Sequence, residues 1–407
     1  MLRAIRNILL VTVPTLLGLA FALEVIFRVA IPACRFPAAC FDEAEGLFKY
    51  CVDSGQGLAS FGPFAQQKGR WRINDHGWNS AIDYEEPKTR TRVAVIGDSY
   101  VEAFQVDADK NYPALLRAAL SDTCDVYGFG VSGAALSEYL HIGRYAVKRF
   151  DPDVLIFNVV HNDFLESVRE LYPVHKHQMK VSVREDAVEE VAAVADPSFS
   201  QYSRMRRLVK ESAAVRYLLF NLKFQNTVGA VRSRGKYAAN IELDPVVKNQ
   251  AVIERAVDYI VARIADENRG RRVIFVMCPP RRDIYEGTAA ESPVRFLHEM
   301  LGRACAENDL EFFDLTEAMT RDYAAKRIKF FPDVDGHWNE YGHRFVADQI
   351  LELAFDLRRI YLGVASGRPP STGIVAPVVG VRRVAKKRTA LATWTAVTRV
   401  LRRFRSR

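Results

Sequence analysis

The nonapeptide RVAVIGDSY, Arg92–Tyr100, sets the frame for the rest of the chain. Its run of apolar and β-branched residues, without polar alternation, is the pattern of a strand buried on both faces, as in parallel sheets. The run leads straight into Gly97-Asp98-Ser99, a tight turn that leaves a serine at the carboxyl end of the strand. Open α/β sheets place their ligands there, so Ser99 is the first candidate nucleophile. Taken alone, the tripeptide equally suits a strand-to-helix turn with serine as a capping residue.

From Arg92 onward the pattern alternates between strand and helix. A helix at Tyr112–Leu120 is followed by a strand at Cys124–Phe129, the turn Gly130-Val131-Ser132-Gly133 and a helix at Leu136–Arg149. The strand Val154–Val160 ends in His161-Asn162-Asp163, and strands at Arg272–Met277 and Glu311–Leu315 flank a helix around Val294–Ala306. This alternation predicts an α/β catalytic domain over residues 92–357, three layers deep. Its centre is a doubly wound, five-stranded parallel sheet of flavodoxin-like type with right-handed crossovers.

Residues 164–243 interrupt the alternation and read as an insertion. It holds a charged segment, Arg184–Val194, and a basic and aromatic segment, Arg204–Phe224, with helical apolar spacing at Val209, Val215, Leu218 and Leu222. An insertion at the carboxyl edge of a strand is placed to act as a lid, or it is a packing appendage. His175 and His177 within it read as solvated loop residues, since no third ligand of similar quality lies near them. No metal is expected. No nucleotide or flavin cofactor is expected either, because G-x-G-x-x-G spacing does not follow the first strand.

Upstream, Arg3 and Arg6 precede an apolar run from Ile8 to Phe27 broken only by Glu24. Roughly 20 residues rising 1.5 Å each span the hydrocarbon layer of a bilayer, so residues 1–30 are expected to form a signal anchor with one transmembrane helix. Ala20-Phe21-Ala22 resembles a processing site and leaves a cleaved signal peptide as the alternative. Either way, the body is expected to be exported, and with the anchor retained it is expected in the periplasm, held at the cell membrane. Residues 31–91 read as an irregular neck, with His76 in a solvent-facing loop. Six cysteines suit an exported protein. No pairing among Cys34, Cys40, Cys51, Cys124, Cys278 and Cys305 is assigned, and Cys278, at the end of an apolar strand, reads as a buried small hydrophobe.

The formal net charge of +8 belongs to the C-terminal end: residues from Leu357 on hold 13 Lys/Arg and no Asp or Glu, which leaves −5 for residues 1–356. The body therefore carries no basic stripe for nucleic acid. Residues 358–407 read as a basic linker and tail. In Val381–Arg407, Leu391, Trp394, Val397, Leu401 and Phe404 would line one helical stripe between cationic flanks, suited to an anionic membrane surface or acidic glycan, or the tail is simply solvated.

Near the end of the body, FFPDVDGHWNEYGHRF (Phe330–Phe345) precedes an amphipathic helix with Asn339 as its cap. Asp335 and His337 stand two apart in a turn and can reach one cleft. His337 suits a general base, and Asp335 would accept its other ring N–H and fix the tautomer. His343 is expected on the helix. Gly97-Asp98-Ser99, Gly133 in GVSG, Asn162 in HND and Asp335/His337 in DGHWN, in this order at strand ends, resemble the four blocks of the SGNH (GDSL) hydrolase superfamily. The resemblance covers Arg92–Leu357. It implies Ser99 as nucleophile, His337 and Asp335 as triad partners, and an oxyanion hole made by Ser99, Gly133 and Asn162.

Two positions depart from that pattern. His161 stands where the family usually has glycine before the Asn, which narrows the pocket or adds a polar wall. The position three before the histidine is Val334, so Asp335 takes the acid role, as in related extracytoplasmic acyltransferases with a D-x-H version, with Asp333 as the fallback. The expectation is a membrane-anchored serine esterase acting on an O-acyl, above all O-acetyl, ester of a small molecule or glycan. An O-acyltransferase using the same acyl-enzyme, and an inactive scaffold with the same fold, are the alternatives. No oligomeric state is read from the sequence.

Overall fold

The computed structural model describes residue 6 and residues 8–185, 187–195, 211–222 and 237–355. The basic tail, with its proposed apolar stripe, and Val209 lie outside the described residues.

The chain enters through a π-helical turn at Ile8–Thr12 that continues into helix α1 (Val13–Val29). Leu9–Val29 is long and apolar enough to cross a bilayer, and none of it is buried inside the protein. Its acid is not idle: the Glu24 carboxylate accepts hydrogen bonds from the Ser212 hydroxyl and the Ala213 and Ala214 N–H groups. Phe27 stacks on Tyr217 with ring centroids 3.8 Å apart.

The stretch read as an irregular neck holds two antiparallel hairpins. Strand β1 (Ala39–Asp42) pairs with β2 (Leu47–Tyr50), and β3 (Gln56–Phe61) pairs with β4 (Gln67–Arg72). The Cys40–Cys51 disulfide clips the first hairpin, while Cys34, Cys124, Cys278 and Cys305 are buried. Strand β4 comes so close to the segment after Ser99 that a Cβ on Gly69 would lie 2.4 Å from the carbonyl oxygens of Phe104 and Val106. Only glycine allows that approach.

The core is the parallel sheet. Strand β5 (Thr91–Gly97), short helix α2 (Ser99–Glu102) and helix α3 (Tyr112–Ala119) lead to β6 (Cys124–Gly130), and helix α4 (Leu136–Phe150) leads to β7 (Val154–Val159). Helix α5 (Asn162–Glu166), hairpin β8 (Lys180–Val183) and β9 (Val188–Val191), helix α6 (Ala213–Arg216) and hairpin β10 (Tyr237–Ala238) and β11 (Ile241–Glu242) come next. Helices α7 (Leu243–Lys248) and α8 (Gln250–Glu267) precede β12 (Arg272–Met277). Helices α9 (Arg281–Glu286) and α10 (Arg295–Glu307), strand β13 (Glu311–Asp314), and helices α11 (Thr316–Lys326) and α12 (Glu340–Phe355) follow as the last of the described elements.

In space the five strands run β13-β12-β7-β5-β6, all parallel. The fold is therefore the expected doubly wound α/β sheet. Helices α4, α8 and α10 pack together on one face, and α3 and α12 on the other. All six residues of β7 are buried, which is why its sequence reads VLIFNV with almost no alternation. The chain leaves β5 outward to β6 and then returns across it to β7. That reversal opens a crevice at the carboxyl ends of β5 and β7, where Gly97 pairs with Asn158.

Candidate active site

Ser99 is the first residue of α2, and Asp98 caps that helix by accepting from the Tyr100 N–H at 2.9 Å. The cap turns the serine side chain out of the sheet, and its Oγ lies 2.8 Å from His337 Nε2. His337 Nδ1 in turn lies 2.5 Å from Asp335 Oδ1, which also accepts the His337 backbone N–H at 3.0 Å. One carboxylate oxygen thus holds the histidine by both ring and backbone. The loop is pinned from the serine side as well: the Tyr100 hydroxyl donates to the Gly336 carbonyl at 2.7 Å, and its ring packs 5.1 Å from the His337 ring. Asp335 is buried. Asp333 instead forms an ion pair with Lys329 at 2.6 Å with its side chain 82% exposed, and takes no part in the cluster.

Asp98 lies 3.3 Å from Ser99 Oγ through its other oxygen, and burial pushes its carboxyl up to about 6. This places a second acid beside the serine hydroxyl, a contact that the place of Asp98 in the turn does not reveal from sequence.

Gly133 sits at φ +75°, a conformation open to glycine, and a Cβ there would meet the His175 ring at 3.1 Å. Among the described residues, neither the Ser99 nor the Gly133 backbone N–H donates to any acceptor. Asn162 opens α5; its Oδ1 accepts from the Asn240 side-chain amide, and its own amide acts on the Glu166 carboxylate one turn later. Asn240, in the turn between β10 and β11, was invisible to motif reading because it is far from every block.

His175, His177, His76 and His161 differ from their sequence readings, whereas His343 is on the helix as expected. His177 is buried, 4.5 Å from the Phe48 ring, and His175 is half-buried against Gly133. Neither is a solvated loop residue, because β8 folds back along Val168 and brings the loop over the site. His76 is half-buried rather than solvent-facing, with Nε2 3.2 Å from the Tyr84 carbonyl and its ring edge-on to Phe150. His343 lies on α12 with Nδ1 accepting from the Tyr112 N–H at 3.3 Å. His161, expected to wall the pocket, is buried and turned away to His298, Nε2 to Nε2 at 2.9 Å, and His298 Nδ1 lies 2.8 Å from Asp314 Oδ2. Burial holds the His161 imidazole well below the usual histidine range, so it stays neutral. Cys278 is buried as expected and accepts from the Asn158 amide at 3.5 Å. Among the described residues no group of His, Cys, Asp or Glu is arranged to hold a metal ion.

A family model described as GDSL-like lipase/acylhydrolase matches residues 95–345. No curated protein sequence matches the chain at a significant level. Among solved structures, the α/β hydrolase LAE5 from the metagenome of Lake Arreo is 15% identical, covering 64% of this chain and 93% of its own, with a TM-score of 0.36. A lipolytic G-D-S-L family protein from Veillonella parvula is 14% identical over 65% and 98%, with a TM-score of 0.34. The acetyl xylan esterase AlAXEase is 14% identical over 65% and 99%, with a TM-score of 0.37.

Proposed function

Because this chain belongs to the GDSL-like lipase/acylhydrolase family, we propose that it transfers an acyl group from an ester through Ser99, with His337 as the base and Asp335 as its anchor. The observation that carries this reading is the continuous line from Ser99 Oγ to His337 Nε2 and from His337 Nδ1 to Asp335.

Ser99 Oγ attacks the ester carbonyl carbon while its proton passes to His337 Nε2. The imidazolium that forms donates through Nδ1–H to Asp335, whose charge stabilises it. The carbonyl oxygen becomes an oxyanion and accepts from the Ser99 and Gly133 N–H groups, which have no other acceptor among the described residues, and from an Asn162 amide hydrogen. When the tetrahedral centre collapses, the C–O bond to the leaving group breaks and His337 returns the proton to the departing oxygen. Water, or a sugar hydroxyl, then attacks the acyl carbon with His337 again as base, freeing Ser99 and giving a carboxylic acid or a new ester.

The substrate proposed is an O-acetyl or other short-chain ester, on a small molecule or a glycan outside the cytoplasm. The α1 helix supports attachment to a membrane, and the Cys40–Cys51 disulfide supports an oxidising compartment. The test uses the full-length protein in detergent. A fluorophosphonate probe is expected to label the wild type and neither Ser99→Ala nor His337→Ala; absence of labelling leaves only the scaffold reading. Supplying an acetyl-ester donor with glycan acceptors then separates the two chemistries, since free acetate marks an esterase and acetylated glycan a transferase.

A further inference from the structure

Glu102 lies one turn after Ser99 on α2 and is 2% exposed. Its carboxylate meets three donors. The Tyr50 hydroxyl donates to Oε2 at 2.7 Å, the Ser132 hydroxyl donates to Oε1 at 2.8 Å, and the Ser132 backbone N–H donates to Oε2. Its main-chain carbonyl accepts from the Asn79 side-chain amide at 2.7 Å. Among the described residues no cation pairs with it.

Burying a carboxylate without a cation is costly, and an apolar side chain of the same size would pack α2 against β6 more cheaply. What the acid does is specific. Ser132 is the residue before Gly133, so fixing both its N–H and its hydroxyl fixes the turn that aims the Gly133 N–H. The approach is tight on the other side as well: a Cβ on Gly130, the last residue of β6, would lie 2.2 Å from the Glu102 nitrogen. The serine turn and the glycine turn are therefore two halves of one rigid piece, and Glu102 is the side chain that joins them. Tyr50, from the end of β2, closes this joint from the neck.

We propose that Glu102 is a positioning residue for acyl transfer, holding the Ser132–Gly133 turn in the geometry that receives the oxyanion, with Tyr50 of the first hairpin steadying its carboxylate. This rests on the acyl-transfer reading of the Ser99 site. It makes the hairpin segment part of the working site rather than a spacer between membrane helix and catalytic body. Burial pushes the Glu102 carboxyl up to about 7, opposed by its bonds to Tyr50 and Ser132 and by the charge of His337. A perturbed acid at this point is in keeping with a role in the site.

The experiment measures kcat and KM on a chromogenic acetyl ester, with full-length protein in detergent, alongside the thermal midpoint. For Glu102→Leu, kcat is expected to fall roughly 100-fold, the scale of losing one oxyanion donor, with KM within about threefold of wild type. Glu102→Gln, which can still accept from Ser132, is expected to recover to within about tenfold of wild type. Wild-type kcat in a folded Glu102→Leu variant overturns the proposal. So does failure of Glu102→Gln to recover activity at wild-type thermal stability. If Glu102→Leu does not fold, Tyr50→Phe decides: a threefold or greater loss of kcat at constant KM supports the role, and an unchanged kcat overturns it. Fluorophosphonate labelling of the wild type is scored separately, so failure of the acyl-transfer reading and failure of the Glu102 role give different results.

Discussion

Ser99 Oγ and His337 Nε2 stand 2.8 Å apart although 238 residues separate them in the chain. Nothing local brings them together. Ser99 is delivered by β5 and the Asp98 cap, His337 by the loop before α12, and Tyr100 ties the two segments through the Gly336 carbonyl. Ser99→Ala and His337→Ala should each lower kcat on an acetyl ester by about 10⁴-fold or more, and Asp335→Asn by roughly 10²- to 10⁴-fold. Asp333→Asn should leave kcat within about twofold, since that carboxylate forms only an exposed ion pair with Lys329, a type that contributes little. Loss of activity in Asp333→Asn with retention in Asp335→Asn would reverse the assignment of the acid.

Asn162 supplies the side-chain donor in the proposed oxyanion hole. Asn162→Ala should reduce kcat by roughly 10²- to 10³-fold with a small change in KM, because the donor acts on charge that develops only in the transition state. Asn240 bonds the carbonyl oxygen of the same amide and so keeps the NH₂ end directed away from it. Asn240→Ala should therefore show a weaker version of the same signature. Steady-state kinetics on one ester series checks both, and an Asn162→Ala enzyme with wild-type kcat would remove the residue from the hole.

Four of the five core strands, β5, β6, β7 and β12, were legible because burial on both faces leaves a strand little room for polar alternation: RVAVIG and VLIFNV carry their class in six letters each. The hairpins at residues 39–72 were not. QGLASF and QKGRWR are short, half-exposed and interrupted by glycine, so their pairing is decided by tertiary contacts such as the burial of Trp71, not by their own pattern. Helix α8 is masked in sequence by the charged stretch that holds it, although its buried positions Ile253, Ala256, Val257, Ile260 and Val261 keep a 3.6-residue rhythm. In the site, the residues on motif blocks could be named in advance. Glu102, Asn240 and the His161–His298–Asp314 chain could not, because an acid in the first turn of a helix or a histidine on an amphipathic helix looks the same whether it is solvated or buried against a distant partner.

The α1 helix leads to a fractionation prediction. No residue of Leu9–Val29 is fully buried, only Glu24 and Phe27 are partly covered by the protein, and large apolar side chains such as Leu17 and Phe21 are well exposed. Full-length protein expressed in a bacterial host should remain in the membrane pellet after alkaline carbonate extraction, and a variant starting at residue 31 should move to the supernatant while keeping esterase activity. If expression of the full-length sequence yields an N-terminally shortened product that is extracted without detergent, a cleaved signal peptide is established instead.

His343 gives the protein a predictable weakness in acid. It is fully buried between Tyr112 and Trp338, and burial pushes its imidazole down to about 3, helped by the charge of His337. In the unfolded chain the same ring titrates near 6.5. The folded value is depressed, so the unfolded state takes up the proton first. The contribution is intact above pH 6.5 and is lost progressively as pH falls from there toward 3. Between pH 7.5 and 4.5 this amounts to about 2–3 kcal/mol, at 1.36 kcal/mol for each unit below 6.5. Asp98 and Glu102 work in the opposite direction, because burial raises their carboxyls and favours the protonated, folded state as pH drops. A difference measurement removes them. His343→Gln keeps an acceptor for the Tyr112 N–H but cannot titrate. Denaturant unfolding at both pH values should show the wild type losing about 2–3 kcal/mol more than His343→Gln on acidification. Equal losses in the two proteins would mean that the buried imidazole is not what acid attacks.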